Sequence, residues 1–247
     1  MMERPYDDIR ENLKRIEDTM AEAALASGRR PEEVRLLGVT KTVPPDRINA
    51  ALEAGVRGIG ENRVQEFLGK REALRLDGVD VHLIGHLQTN KVPKIVGQVD
   101  MIESVDSVHL AKAISDASEK SGRITDVLAE VNIGREEAKS GVLSENLEEL
   151  LAEIGGFSGI RVRGLMTVPP ILETEAEKRA IFSRMYKLFI DIRANPRRRD
   201  AGSDRVGIVR PPCLSAALTI PGLRRILSTG CGLLRTALPS VENSFVC

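Results

Sequence analysis

Lys41 is the residue whose type and position point most directly to chemistry. It follows the short apolar run Val34–Val39, with a threonine on each side and a proline three residues later. A deprotonated amine can attack an aldehyde to form a Schiff base, and a partly desolvated pocket favours the neutral amine. A lysine at a strand end can equally extend its ammonium group into water, which is the common case. The spacing alone leaves both interpretations open.

Further polar groups follow other apolar runs in the same way. Asn62 lies in a Gly-Glu-Asn-Arg stretch, where it either caps a helix or contacts a ligand, and capping is the commoner role. His86 begins a polar stretch, His-Leu-Gln-Thr-Asn-Lys, and is a candidate for acid-base chemistry or for contact with a ligand ring. The loop of residues 132–141 has the composition of an anion-binding loop or of a simple turn.

Other kinds of site are not indicated by the sequence. His82, His86 and His109 belong to different strand neighbourhoods and no cysteine is near them, so we predict no metal site. A Ser-His-Asp order, a pair of catalytic carboxylates and a phosphate-binding P-loop are all absent from the sequence. Met166 ends an apolar run and is expected to pack rather than to bind. We assign no catalytic residue.

Strand-like and helix-like segments alternate along residues 6–193. Short aliphatic runs are typical of buried parallel strands, and apolar residues three or four apart are typical of helices. Six strand-helix units without a G-x-G-x-x-G motif after the first strand favour a closed α/β barrel over an open sheet. In a barrel, the ends of the strands before Lys41 and Asn62 meet at one mouth. The predicted strands are residues 34–39, 58–60, 81–85, 101–104, 127–131 and 162–166, and the predicted helices are residues 6–26, 45–54, 62–74, 90–96, 108–118, 143–154 and 173–193.

The overall composition is that of an ordinary globular protein. The chain has 247 residues, of which 42% are hydrophobic, 29% charged and 3% aromatic, and its formal net charge is zero. It lacks the positive field and the stacking platforms that nucleic-acid binding normally needs. No apolar run approaches the ~20 residues of a membrane span and no signal peptide is evident, which predicts a cytoplasmic protein. Three cysteines do not make a disulfide framework.

The last part of the chain differs in composition from the rest. Residues 191–247 contain nine Arg, four acidic residues, no Lys and all three cysteines. Residues 1–190 contain 27 Lys and Arg against 32 Asp and Glu. The balance of charge therefore changes sign near residue 191.

Five sequence stretches together resemble one family. They occur in the order and at the spacing of the pyridoxal phosphate homeostasis proteins of the YggS/PROSC type, and the resemblance covers roughly residues 6–193. It implies a TIM-type (β/α)8 barrel of the alanine racemase N-terminal domain type. The stretches are LLGVTKTVP (36–44), GIGENRVQE (58–66), HLIGHLQTNK (82–91), EVNIGREEAKSG (130–141) and GLMTVPP (164–170).

The same resemblance implies a cofactor and a role. Pyridoxal 5'-phosphate (PLP) would be carried as an aldimine on Lys41, with Asn62, His86 and Met166 around it. Members of the family buffer and deliver PLP without efficient catalysis, so the implied recipients are PLP-dependent apoenzymes. From the composition and the short apolar runs we expect neither nucleic acid nor a membrane as a partner. Two alternatives stay open: an alanine-racemase-like PLP-dependent enzyme, and a barrel remnant that has lost cofactor binding.

The resemblance stops at about residue 193. The family continues with a Ser-Met-Gly-Met-Ser-x-Asp stretch and a final Arg-x-Gly-Thr, whose serine and threonine hold the cofactor phosphate, and neither stretch occurs in this sequence. We therefore predict a PLP-binding barrel over residues 1–193, incomplete or disordered after the sixth βα unit, and a non-matching tail over residues 194–247. A frameshift in the gene is one hypothesis for this tail. Re-sequencing would reject it if no alternative frame encoded a Ser-Met-Gly-Met-Ser-like stretch.

Overall fold

The computed structural model of the chain describes residues 7–170, 172–194, 214–218 and 245–246. Strands and helices alternate from β1 onwards, as the apolar periodicity predicts. Single 3-10 turns adjoin three of the helices, at residues 71–73, 89–91 and 144–146. The helices are α1 (Asp7–Ala26), α2 (Pro45–Ala54), α3 (Val64–Lys70), α4 (Val92–Ile95), α5 (Val108–Lys120), α6 (Leu147–Ile154) and α7 (Glu175–Ala194), and the strands are β1 (Val34–Val39), β2 (Gly58–Glu61), β3 (Asp80–Leu83), β4 (Met101–Val105), β5 (Thr125–Glu130), β6 (Ile160–Thr167), β7 (Leu214–Leu218) and β8 (Phe245–Val246).

The described strands form a closed ring in the order β1-β2-β3-β4-β5-β6-β8-β7. Strands β1 to β6 each run parallel to the next, with Gly38 opposite Ile59 and Glu130 opposite Met166. Strand β7 runs parallel to β1, whereas the two-residue β8 runs antiparallel to both β6 and β7. Because β1 to β6 point the same way, their C-terminal ends lie together at one end of the barrel, which we call the mouth.

The helices pack on the outside of the ring. On β1, Val34 and Leu36 pack against Ile16 and Met20 of α1. The main core continues this layer around the barrel and includes Phe67, which is fully buried. Burial of these apolar side chains, at roughly 25 cal/mol per Å² of area removed from water, is the main force that holds the helices on the sheet.

Alternate residues of the strands fill the inside of the ring. Leu37 and Val39 pack against Ile84, and Leu128 packs against Met166, in two small clusters separate from the main core. Every member of these clusters belongs to a strand or directly follows one, which places the clusters inside the barrel.

Ion pairs lie at the end of the barrel opposite the mouth. Asp126 accepts hydrogen bonds from Arg161 at 2.6 and 3.0 Å and lies 3.5 Å from Arg163. Arg35 at the start of β1 lies 3.2 Å from Asp80 at the start of β3. We call these five residues the floor of the barrel.

The predicted α/β barrel is confirmed, and β1 and α2 have the predicted bounds. Four helices begin two or more residues later than predicted: α3 at Val64, α4 at Val92, α6 at Leu147 and α7 at Glu175. Before α4 and α6 the chain forms a 3-10 turn, whose side-chain spacing of three residues resembles that of a first α-helical turn. None of the described helices combines the length and apolar character needed to cross a membrane.

The predicted tail, residues 194–247, lies mostly outside the described residues. The predicted boundary at residue 193 falls at the end of α7. Of the two strands described after α7, β7 adds to the parallel pattern of the first six and β8 does not. The order of the rest of the tail and the frameshift hypothesis stay predictions.

Candidate functional site

Lys41 follows β1 at the mouth of the barrel. Leu37 and Val39 are the residues of β1 that face the interior. Lys41 lies two residues beyond Val39, in a turn that the Val43 amide closes by donating to the Thr40 carbonyl oxygen at 3.1 Å. Its side chain is half-buried. The structure thus places this lysine between the apolar interior and the solvent, where an amine is partly desolvated and still accessible.

An ion-pair cluster joins the ends of β1 and β2 to α3. Lys70 Nζ lies 2.8 Å from Glu61 Oε1 and 3.0 Å from Glu66 Oε1, and it donates a hydrogen bond to the Thr40 carbonyl oxygen at 2.8 Å. The Thr40 hydroxyl donates to Glu61 Oε1, and the Thr42 amide donates to Glu66 Oε1 at 2.5 Å. We call Glu61, Glu66 and Lys70 the Lys70 cluster.

Asn62 follows β2, the strand next to β1. It does not cap α3, because the cap position is Arg63 and no side chain accepts a hydrogen bond there. The capping interpretation is therefore wrong. The side-chain oxygen of Asn62 is buried and has no hydrogen-bond partner among the described residues. A buried acceptor without a donor is costly, so this arrangement favours contact with a ligand.

The chain after β3 passes very close to Asn62. A Cβ atom on Gly85 would lie 2.3 Å from the Asn62 carbonyl oxygen and 2.8 Å from its Cα, so no larger residue fits without a backbone shift. The Ser104 hydroxyl donates to the Gly85 carbonyl oxygen at 2.7 Å. These contacts hold the ends of β2, β3 and β4 together and fix the start of the segment that carries His86.

His86 lies at the rim of the mouth. Its Nδ1 is 3.3 Å from Ser140 Oγ and 3.7 Å from Asp106 Oδ2, and its side chain is 56% exposed. The imidazole thus joins the end of β3 to the connections that follow β4 and β5. It lies within reach of solvent and of any ligand at the rim, as acid-base or ring-contact chemistry requires.

The loop of residues 132–141 is folded around the side chain of Asn132. The Asn132 amide nitrogen donates to the carbonyl oxygens of Glu136 and Lys139 at 2.8 and 3.3 Å, and its oxygen accepts from the Glu136 amide at 3.1 Å. Lys139 Nζ donates to the Pro169 carbonyl oxygen at 2.9 Å and lies 2.7 Å from Glu136 Oε1. Because the charge of Lys139 is already paired, the geometry favours a structural turn over an anion-binding loop.

Met166 and an acidic residue lie below the rim, inside the barrel. Met166 is 1% exposed and packs against Leu128, as the sequence predicts. Glu130 lies opposite Met166 in the strand register and is 7% exposed. Burial, and then the negative charge of Asp106, raises the pKa of Glu130 to about 7.

A second ionisable pair inside the barrel joins β3 to β4. His82 Nδ1 lies 2.5 Å from Glu103 Oε1, and the Glu103 side chain is almost fully buried. Burial opposes the charged imidazolium, but the contact with Glu103 outweighs it and raises the pKa of His82 above its usual value. Within residues 7–170 and 172–194, no group of three or more His, Cys, Asp or Glu side chains is arranged to hold a metal ion.

Sequence reasoning did not single out Glu66, Lys70 or Glu130. Glu66 and Lys70 are four residues apart, which is the spacing of an ion pair on one face of a helix. Glu130 ends the apolar run Val-Leu-Ala at an inward-facing strand position, where a carboxylate is unexpected. Both signals were present in the sequence, although neither identifies the partner residues on other elements.

Known proteins share both the sequence and the fold of this chain. Residues 6–203 match the family model of the alanine racemase N-terminal domain. The pyridoxal phosphate homeostasis protein of Aquifex aeolicus (strain VF5) is 43% identical over 178 residues, which cover 72% of this chain and 78% of that protein. The chain belongs to the pyridoxal phosphate homeostasis protein family.

Two solved structures resemble this member of the family closely. An unknown protein from Bifidobacterium adolescentis has a TM-score of 0.72 and 37% identity, and the match covers 83% of this chain and 87% of that one. PipY of Synechococcus elongatus PCC7942, solved with PLP bound, has a TM-score of 0.63 and 31% identity, with 75% of this chain and 82% of that one covered.

Proposed function

We propose that this chain binds PLP at the mouth of its barrel and serves the intracellular homeostasis of PLP. The position of Lys41 at the end of β1, beside a strand end that carries the unpaired Asn62 oxygen, is the observation that carries the proposal. The names of the relatives and the presence of PLP in the PipY structure support it.

The residues of the mouth suit this cofactor. When bound, PLP supplies an aldehyde that a lysine amine can hold through a reversible covalent bond. Lys41 is the residue that we assign to this bond. The Asn62 oxygen needs a donor, which a hydroxyl group or a protonated ring nitrogen provides. His86 at the rim and Met166 below it are the proposed contacts to the ring.

We further propose that the chain holds and releases PLP without efficient catalysis, and that PLP-dependent apoenzymes receive it. The relatives are named for homeostasis rather than for a reaction, which supports this role. The competing function is that of an alanine-racemase-like enzyme. Racemisation of alanine by the purified protein at about 1 per second or faster would favour the enzyme over the homeostasis protein.

An absorbance titration tests the proposed function directly. Added PLP should produce a saturable new band, distinct from that of the free aldehyde, because a lysine adduct changes the conjugated system. Titration of the same PLP into an equal concentration of free lysine supplies the control for unpositioned amines. If the spectrum of the mixture equals the sum of the spectra of the protein and of free PLP, the barrel has lost cofactor binding.

The absence of the family's phosphate-binding stretches from the sequence leads to a second prediction. Charge-assisted hydrogen bonds to the phosphate normally separate PLP from unphosphorylated pyridoxal, and each contributes about 1.5–3 kcal/mol. We therefore expect this chain to prefer PLP over pyridoxal by no more than about tenfold. Absorbance titrations with both aldehydes measure the ratio.

A chimera supplies the matched control for this prediction. Replacing residues 194–247 by the corresponding ending of the Aquifex aeolicus relative should tighten PLP binding and increase the preference for the phosphorylated aldehyde. A preference of about a thousandfold or more in the unmodified chain would contradict the prediction, since it would require several charge-assisted contacts to the phosphate.

A further inference from the structure

The backbone is tied to α3 on both sides of Lys41. The carbonyl oxygen of Thr40, the residue before it, accepts a hydrogen bond from Lys70 at 2.8 Å. The amide of Thr42, the residue after it, donates to Glu66 Oε1 at 2.5 Å. Two residues of α3, four positions apart on one face of the helix, thus hold the peptide groups that flank the lysine.

Lys70 is well suited to hold the Thr40 carbonyl in place. Its side chain is only 9% exposed, and its three ammonium hydrogens meet three oxygen atoms, those of Thr40, Glu61 and Glu66. Phe67, which is fully buried, fixes the helix between these residues on the barrel. The ammonium group is therefore anchored in the core rather than at the surface.

Glu66 holds a backbone conformation that threonine rarely adopts. Thr42 has a φ of 61°, in the left-handed region, where a β-branched side chain is strained. Its side chain is exposed, and the turn that contains it is also closed by the Val43 amide, which donates to the Thr40 carbonyl oxygen at 3.1 Å. Partial burial opposes the charge of Glu66, but the Thr42 amide and Lys70 outweigh it and lower its pKa, so Glu66 is ionised at neutral pH and accepts both hydrogen bonds.

We infer that Glu66 and Lys70 are positioning residues for Lys41, which fix the direction in which its side chain leaves β1. This inference rests on the proposed function of Lys41. A buried ion pair by itself contributes little net stability compared with apolar residues of the same size. The pair instead fixes a position, because its hydrogen bonds reach the two peptide groups beside the reacting lysine. A fixed amine reacts faster with a bound aldehyde than a mobile one.

Hydrogen exchange of the unmodified protein provides the first test. The Thr42 amide belongs to an exposed residue, and Glu66 Oε1 is its hydrogen-bond acceptor. We expect its exchange, measured by NMR, to be at least about tenfold slower than in an unstructured peptide. Exchange at the peptide rate would show that Glu66 does not hold this amide and would overturn the inference, whatever the protein does with PLP.

The second test measures the rate of the Lys41 adduct with PLP. Glu66→Ala should slow adduct formation about tenfold, whereas Glu66→Gln, which keeps an oxygen acceptor, should stay within about threefold of the unmodified protein. Glu72→Ala is the matched control, since the Glu72 side chain is 91% exposed and pairs with Arg71. Thermal melting of each variant confirms that rates are compared between folded proteins.

The outcomes separate this inference from the proposed function. Equal rates for Glu66→Ala and the unmodified protein, or a Glu66→Gln variant as slow as Glu66→Ala, would overturn the positioning role. No adduct at all in the unmodified protein would instead overturn the proposed function. Slow exchange of the Thr42 amide would then still show that Glu66 holds the backbone beside Lys41.

Discussion

Lys41→Ala is expected to abolish the covalent adduct that borohydride traps between this protein and PLP. The aldehyde reacts with an amine placed at the mouth, and we assign that amine to the half-buried Lys41. The fold should persist, because a half-buried side chain beyond the end of a strand contributes little to packing. Mass spectrometry of the borohydride-treated protein measures the adduct, and thermal melting measures the fold.

Lys91→Ala is the matched control for the lysine substitution. Lys91 is also half-buried and lies in the connection after β3. This variant should keep the full PLP adduct. Equal trapping in Lys41→Ala and the unmodified protein would assign the aldehyde to another lysine and refute the role of Lys41.

Glu130→Gln is expected to stabilise the protein at neutral and alkaline pH. The pKa of Glu130 is about 7 in the folded protein, because of burial and then of the Asp106 charge, against 4.5 for an unperturbed glutamate. Between these two values the folded state binds a proton that the unfolded state has released, so stability falls as the pH rises through this window. At about 1.4 kcal/mol per pKa unit, the loss above pH 7 is of the order of 3 kcal/mol.

Glutamine keeps the size of Glu130 and removes its charge, so the variant should gain most of this free energy at pH 8 and little at pH 4.5. Urea unfolding at several pH values measures the difference. Glu137→Gln, at an exposed position of the loop after β5, serves as the control and should not change the pH dependence. Identical stability profiles for Glu130→Gln and the unmodified protein would contradict the burial argument.

His82 adds a second decline in stability, at higher pH than that of Glu130, to the same pH profile. The contact with Glu103 overcomes the burial penalty and raises its pKa above 6.5, so its contribution is fully present below pH 6.5 and is lost as the pH rises through the raised value. A decline in stability above pH 6.5 should therefore remain in Glu130→Gln.

The barrel and the position of its lysine follow from local sequence patterns. The aliphatic run before Lys41 and the amphipathic segment after it predict β1 and α2 with the bounds that the structure has. The position of Met166 at the end of an apolar run also predicts that it packs, and the structure shows it against Leu128. These features depend on residues close together in the chain.

The rest of the site depends on contacts between distant parts of the chain. The bond from Lys70 to the Thr40 carbonyl spans 30 residues, and no periodicity specifies it. Residue type alone favours capping for Asn62 for the same reason, since that preference ignores where α3 begins. The pKa of Glu130 depends on its burial, which only the closed barrel creates.

The charged floor of the barrel determines the route by which PLP reaches and leaves the mouth. Charged pairs such as Arg161 with Asp126 lie at one end, and apolar side chains together with buried ionisable groups occupy the described interior above them. A molecule held at the mouth therefore arrives and departs through the same opening. A partner that covers this opening, and binds the loaded and empty forms equally, lowers the association and dissociation rate constants by the same factor. It changes how fast PLP is exchanged and leaves the Kd as it was.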